Sequence, residues 1–224
     1  MNALTLKLIA VITMVIDHAG SALLSQYIGT ENAGIYFATR YIGRIAFPIF
    51  AYLIAQGCVH TRSMGKYALR LGVLALISEP FFDTVLVRGD VNFLANTNIF
   101  YTLFLAVCAI WLHKLLGGGL LGLLAVIPAA LAAHLLTSDY GAFGVLFIFA
   151  LYVINPTKRL RAAAGVAIGM LALYLPRVEV ALFAVLASLC ILAYNGKQGP
   201  KHPALKYGFY AFYPAHLLII GLIV

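Results

Sequence analysis

Long apolar stretches recur along the whole chain and are separated by short polar, glycine-rich or proline-containing segments. A helix rises about 1.5 Å per residue, so about 20 apolar residues cross roughly 30 Å of hydrocarbon. Strand-type alternation is absent from the sequence, and backbone polar groups in lipid must be satisfied within the chain, which favours helices. We predict nine spans, at residues 5–25, 35–57, 66–83, 98–113, 119–136, 141–155, 160–175, 178–194 and 205–223.

The composition agrees with this pattern. Hydrophobic residues make up 63% of the 224 residues and charged residues only 10%, whereas a soluble domain is about half apolar and a quarter charged. We therefore predict an all-α integral membrane protein, a polytopic bundle of about nine helices in a single domain over residues 1–224. The three cysteines match no metal-binding spacing. We expect no bound metal and no nucleic-acid partner.

The distribution of lysine and arginine predicts an orientation. Short cytoplasmic loops of membrane proteins carry the excess of these residues. With a cytoplasmic N-terminus, the outer connections hold only Arg88 and Arg177, and the inner ones hold Lys7, Arg62, Lys66, Lys114, Lys158, Arg159, Arg161, Lys197, Lys201 and Lys206. We predict a multi-pass protein of a bacterial inner membrane, in contact with lipid, with its N-terminus inside and its C-terminus outside.

Few ionisable side chains interrupt the apolar spans, and each is a functional candidate because lipid disfavours charge. They are Asp17, His18, Arg44, Glu79, Asp83 and His216. Helical rise in antiparallel neighbours brings His18, Arg44 and Glu79 to a similar depth in the outer half of the bilayer. One interpretation is an ion-pair cluster that only holds the spans together, although buried pairs add little stability after desolvation.

The other interpretation gives His18 a role in proton transfer, because histidine titrates near neutral pH and suits a general base. Asp17 points about 100° away around the same helix and cannot orient His18, so Glu79 is the first candidate partner. Arg44 would pair with Asp17 or Glu79, and would stabilise an oxyanion or hold Asp17 in place. A proton-coupled transporter or flippase would use the same residues as a relay.

Lys7 adds a second clue, because it precedes His18 by 11 residues, or about three helical turns. Both side chains then occupy one helix face, roughly 16 Å apart along the axis. Acyl-coenzyme A has phosphates at one end and a thioester at the other, and could span this separation. The alternative is a snorkelling lysine that only sets topology.

Five segments together resemble proteins of the TraX family, in the same order and over nearly the whole chain: LKLIAVITMVIDHAG, YIGRIAFPIFAYLIAQG, NIFYTLFLAV, SDYGAFGVLFIFALY and YGFYAFYPAHLLIIGLIV. The best-known activity of that family is acetylation of the N-terminus of conjugative pilin. The family looks related to a wider group of transmembrane acyltransferases, whose first span carries a basic residue, ten residues and a histidine. Lys7 and His18 match that spacing. The run FPIF at residues 47–50, with Gly57 beyond it, looks like the second-span signature of the group.

The resemblance implies transfer of an acyl group, in the first place acetyl, from cytoplasmic acetyl-CoA to an amine or hydroxyl on the outer side. The acceptor would be a pilin N-terminus, a glycan or a small molecule, and transfer would be direct or through an acyl-histidine. Under this hypothesis the catalytic candidates are Asp17, His18, Arg44, Glu79 and His216.

The remaining candidates follow from the same hypothesis. A basic loop is expected to bind the coenzyme A phosphates together with Lys7, unless it only sets orientation: His60, Arg62, Lys66 and Arg70. Tyr213 is expected to close the site from the last span. Asn98, Asp139 and Tyr140 are expected to shape the acceptor entrance, unless they are ordinary capping and interfacial residues. The sequence leaves the oligomeric state open.

Overall fold

The computed structural model describes residues 1–175, 177–200 and 202–224. Pro176 and Lys201, the latter one of the predicted inner basic residues, lie outside the described residues, as do the side chains of Pro203 and Lys206. Every regular element in the described part of the chain is helical. The α-helices are α1 (Ala3–Leu23), α2 (Ala33–Gly43), α3 (Ala46–His60), α4 (Met64–Phe82), α5 (Ile99–Leu115), α6 (Gly119–Leu124), α7 (Val126–Leu135), α8 (Gly141–Val153), α9 (Arg159–Tyr174), α10 (Val178–Leu192) and α11 (Pro203–Gly221).

These helices form nine continuous segments among the described residues. Only Arg44 and Ile45 separate α2 from α3, and only Ala125 separates α6 from α7. Each segment overlaps one predicted span, so the all-helical prediction is confirmed for the described residues. Two segments, Ala3–Leu23 and Ala33–His60, are long and apolar enough to cross a membrane by length and composition. Membrane insertion of all nine stays a prediction.

Side-chain caps define where several helices begin. Asn2 accepts a hydrogen bond from the backbone N–H of Thr5 at 3.0 Å and starts α1. Ser63 accepts one from the N–H of Lys66 at 3.3 Å and starts α4. Such caps satisfy backbone donors that have no partner within the helix. The polar residues between the apolar stretches therefore act as helix boundaries.

The chain forms two compact units. The first contains Met1–Phe50 and Thr157–Val224, and the second contains Ala51–Pro156. In the first unit α1 packs against α2 and α11, and α10 packs against α9 and α2. In the second unit α5 packs against α4, α7 and α8, and α7 packs against α8. The predicted single domain over residues 1–224 stays a prediction.

In the first unit, the first and last helices run in the same direction. The ammonium nitrogen of Lys7 lies 5.5 Å from the ring centroid of Phe209, near the start of both helices. Further along, the rings of His18 and His216 are in contact. The backbone N–H of Ala3 donates to the carbonyl of Lys197 at 2.9 Å, just before α11. Helix α11 therefore lies against Lys7 and His18, the two residues of α1 that the sequence predicts to share one helix face.

Two glycines allow α1 and α2 to approach closely. A Cβ atom at Gly43 would collide with the side chain of Asp17, and one at Gly20 would collide with the side chain of Thr39. Small residues at a helix interface let the backbones approach each other in this way. Gly43 thus makes room for a buried carboxylate between the two helices.

We predict that Gly43→Ala lowers the stability of the purified protein, because the added methyl group displaces Asp17. Overpacking of this kind typically raises the free energy of the folded state by about 1–3 kcal/mol. Gly34→Ala is the matched control in the same helix, since no atom lies within 4 Å of a Cβ there. Thermal unfolding in detergent measures both variants. Equal melting temperatures for them would contradict the close packing at Gly43.

Candidate active site

Two histidines from α1 and α11 form the centre of the candidate site. The Nδ1 atom of His18 lies 2.8 Å from Nε2 of His216. The ring centroids are 5.1 Å apart and the ring planes are inclined by 16°. His18 is half-buried and His216 is buried, with 5% of its surface exposed. Glu79 is the partner of His18 that the sequence predicts first, but the structure places His216 at the Nδ1 atom of His18.

Aromatic side chains from α11 pack against this pair. The ring of Phe212 stacks on His216 with centroids 5.2 Å apart. The buried ring of Tyr213 lies edge-on to both histidines, with centroid distances of 5.8 Å to His18 and 5.2 Å to His216. Aromatic packing excludes water and restricts ring rotation. Tyr213 therefore lies beside His18, as its predicted role in closing the site requires.

Asp17 lies next to His18 in sequence but takes part in a different set of contacts. It is buried, and its carboxylate forms salt bridges of 3.0 Å with Arg40 and 3.0 Å with Arg44. Arg40 also donates from Nη1 to the backbone carbonyl of Asp17 at 3.3 Å. Asp17 thus binds arginines and does not orient His18, as expected from the angle between adjacent helical residues.

The two arginines differ in how fully their donors are used. Arg44 donates from Nε to the carbonyl of Arg40 at 3.1 Å, from Nη1 to the hydroxyl of Tyr174 at 3.4 Å, and from Nη2 to both carboxylate oxygens of Asp17. Among the described residues, Arg40 uses only Nη1, and its side chain is 29% exposed. Its Nε and Nη2 donors are therefore available to a ligand.

The cluster carries a surplus of positive charge, because one carboxylate faces two guanidinium groups. Of the two alternatives for Arg44, the structure shows the one in which it holds Asp17. Arg40 is a residue that the sequence analysis missed. The sequence does contain a signal for it: Arg40 lies four residues before Arg44, and this spacing puts both side chains on the same face of a helix.

Glu79 belongs to the second unit and is fully buried there. Its Oε2 atom accepts hydrogen bonds from the backbone N–H of Asn98, at 3.0 Å, and from the side-chain amide of that residue. The other carboxylate oxygen is buried without a hydrogen bond among the described residues. The structure therefore gives Glu79 a partner in Asn98, and a catalytic role for it stays a prediction.

Asn98 has a structural role. Its side-chain oxygen accepts from the N–H of Phe100 at 2.9 Å and caps α5, and its amide also donates to the carbonyl of Ala75 at 2.8 Å. Asn98 is fully buried. The acceptor could contact this side chain only by displacing Glu79, Ala75 or the cap, so the structure supports the capping alternative.

Asp139 and Tyr140 precede α8 in the second unit. The backbone N–H of Asp139 donates to the carbonyl of Thr97 at 2.9 Å, so this segment lies against the start of α5. Asp139 is exposed and Tyr140 adopts a positive φ of 61° at the beginning of α8. A contact between these residues and an acceptor stays a prediction.

The predicted phosphate-binding loop is partly helical: His60 ends α3, Arg62 lies in the connection, and Lys66 and Arg70 lie within α4, all in the second unit. His60, Arg62 and Lys66 are exposed, and the guanidinium carbon of Arg70 lies 5.8 Å from the ring centroid of Tyr67. Lys7 belongs to the first unit, where its ammonium faces Phe209. Binding of coenzyme A phosphates at these residues stays a prediction. No group of three or more metal-ligating side chains is arranged to hold a metal ion in the described part of the chain.

Comparison with known proteins gives two matches over nearly the full length. A family model described as "TraX protein" matches residues 3–224. A protein of Dichelobacter nodosus described as "Probable fimbrial assembly protein FimC, serogroup H1" is 27% identical over 241 residues, covering 98% of this chain and 94% of that protein. No solved structure matches the chain significantly.

We predict that Asp17→Asn destabilises the protein more than Arg40→Gln does. The first change leaves two half-buried guanidinium groups without a counter-charge, whereas the second leaves Asp17 and Arg44 as a balanced pair. Removing one partner of a buried ion pair typically lowers the free energy of unfolding by about 3–5 kcal/mol. Denaturation in detergent measures the order of stabilities, with Glu31→Gln in an exposed turn as the neutral control. The reverse order would contradict the shared-carboxylate arrangement.

Proposed function

This chain belongs to the TraX family, and from that premise we propose that it is a membrane-bound acetyltransferase. In this proposal it moves an acetyl group from acetyl-CoA on the cytoplasmic side to an amine on the outer side of a bacterial inner membrane. The similar Dichelobacter protein carries a name that concerns fimbrial assembly. That name supports the amino terminus of a pilin as the acceptor.

The observation that carries the proposal is the position of His18. It combines a half-buried imidazole, a second imidazole 2.8 Å away and an adjacent group of two arginines and one carboxylate. A structural ion pair would need neither histidine. A general base, a partner that orients it and a surplus positive charge are the parts that acyl transfer requires.

The proposed reaction is a direct displacement at the thioester. His18 accepts a proton from the acceptor amine as the nitrogen attacks the carbonyl carbon, and the carbonyl oxygen becomes negatively charged. The tetrahedral intermediate collapses with cleavage of the carbon–sulfur bond. The protonated His18 then returns the proton to the coenzyme A thiolate, so the enzyme ends in its starting state.

Arg40 is the proposed electrostatic partner of the oxyanion. Its unused donors and the surplus charge of the cluster can stabilise negative charge that develops on the thioester oxygen. Arg44 uses all three of its guanidinium nitrogens on protein groups and holds Asp17, which in turn holds Arg40. Arg44 therefore supports the position of Arg40 in this mechanism.

The proposed donor route runs along the shared face of Lys7 and His18. Lys7 would bind coenzyme A phosphates near the beginning of α1, and the pantetheine arm would carry the thioester towards His18. The support for this route is the spacing of Lys7 and His18 on one helix and the positive charge of Lys7.

We predict that His18→Gln lowers acetyl transfer at least about a hundredfold, the usual scale for loss of a general base. The assay supplies acetyl-CoA and pilin to purified protein, measures free coenzyme A, and identifies the acetylated amino terminus by mass spectrometry. His134→Gln, at an exposed position, is the matched control. A folded His18→Gln protein with activity near that of the control would refute the catalytic assignment.

Replacement of Lys7 by alanine is expected to raise the KM for acetyl-CoA, with a smaller change in the KM for the acceptor. A ground-state contact far from the reacting atoms affects binding more than the chemical step. Lys7→Arg keeps the charge and should retain most of the donor affinity. Correctly inserted Lys7→Ala with an unchanged donor KM would show that Lys7 only sets topology.

A further inference from the structure

His18 and His216 belong to a directed chain of hydrogen-bonding groups. The Nδ1 atom of His216 lies 3.0 Å from the backbone carbonyl oxygen of Phe212, one turn earlier in α11. The Nε2 atom of the same ring lies 2.8 Å from Nδ1 of His18. Both nitrogens of His216 are therefore engaged, and one of its two partners can only accept a hydrogen bond.

This geometry determines where the protons lie when both rings are neutral. A carbonyl oxygen cannot donate, so the Nδ1 atom of His216 carries the proton that it shares with Phe212. The Nε2 atom of His216 then has a lone pair and accepts. The Nδ1 atom of His18 must donate to it, which leaves a lone pair on Nε2 of His18.

We propose that His216 is a positioning residue that fixes His18 in its Nδ1–H tautomer and points the basic Nε2 atom away from the dyad. The catalytic part of this inference rests on the proposed function, whereas the tautomer of His18 does not depend on that function. A hydrogen bond at one ring nitrogen sets which nitrogen is free for chemistry. When His18 accepts a proton at Nε2, its Nδ1–H bond to His216 is kept.

The side chains around His216 shield its contact with His18 from solvent. His216 is 5% exposed, and the rings of Phe212 and Tyr213 cover it, so solvent does not compete for its nitrogens. Asp17 cannot take this role, because Arg40 and Arg44 occupy its carboxylate. The last helix of the chain therefore supplies the partner that the neighbouring carboxylate does not.

The first test is spectroscopic and does not depend on activity. Purified protein labelled with ¹⁵N-histidine is measured at about pH 8, where an ordinary histidine is neutral, and His18→Gln identifies the signals of His18. We expect a protonated Nδ1 and an unprotonated Nε2 in the parent protein. In His216→Leu the Nδ1–H form should lose its preference. An Nε2–H tautomer for His18 in the parent protein would overturn the inference.

The second test separates positioning from packing by kinetics. His216→Leu removes the acceptor for His18 and should lower kcat about tenfold or more, with little change in the KM for acetyl-CoA. In His216→Gln, the amide oxygen can accept from His18, so this variant should recover most of kcat. A folded His216→Leu protein with parental kcat, or a glutamine variant no better than the leucine variant, would contradict the positioning role. A parent protein without acyl transfer would refute the proposed function, and the spectrum would still decide the tautomer.

Discussion

The arrangement of the candidate site depends on one buried carboxylate that two guanidinium groups share. Asp17 can reach Arg40 and Arg44 because Gly43 leaves space for its side chain where α1 meets α2. Charges within an apolar bundle persist only when they are paired or serve a function. One carboxylate balances only one arginine, so the cluster keeps a positive charge beside His18. This surplus distinguishes the group from a simple ion pair that holds helices together.

The second constraint is the parallel course of the first and last helices. The contacts of Lys7 with Phe209 and of His18 with His216 bring α11 along α1 in the first unit. Helix α11 thus completes a candidate site to which α1 contributes His18. In the proposed mechanism, this packing gives each of three helices a separate role. Helix α1 supplies the base, α2 supplies the charge, and α11 supplies the group that orients the base.

Much of this could be predicted from the sequence, because hydrophobic periodicity and turn residues determine where helices begin and end. The rare ionisable residues within the spans also identified His18, Asp17, Arg44 and His216. Periodicity gives the depth of a residue but does not identify the helices that neighbour it, so His216, 198 residues from His18, was not recognised as its partner. For the same reason Glu79 was assigned to His18, although Asn98 binds it. Arg40 was missed for the same reason, because its partner Asp17 lies on another helix and the pattern of one span does not show that contact.

Label transfer across a sealed membrane tests directly whether the protein moves an acetyl group from one side to an acceptor on the other. Inverted inner-membrane vesicles that contain the protein expose its cytoplasmic face, and pilin lies on the luminal side. Radiolabelled acetyl-CoA is then added outside. The proposed mechanism predicts label on the luminal pilin, and at least about a hundredfold less label in vesicles that contain His18→Gln. Equal label with both proteins, or proton-coupled solute uptake without any label on protein, would contradict it.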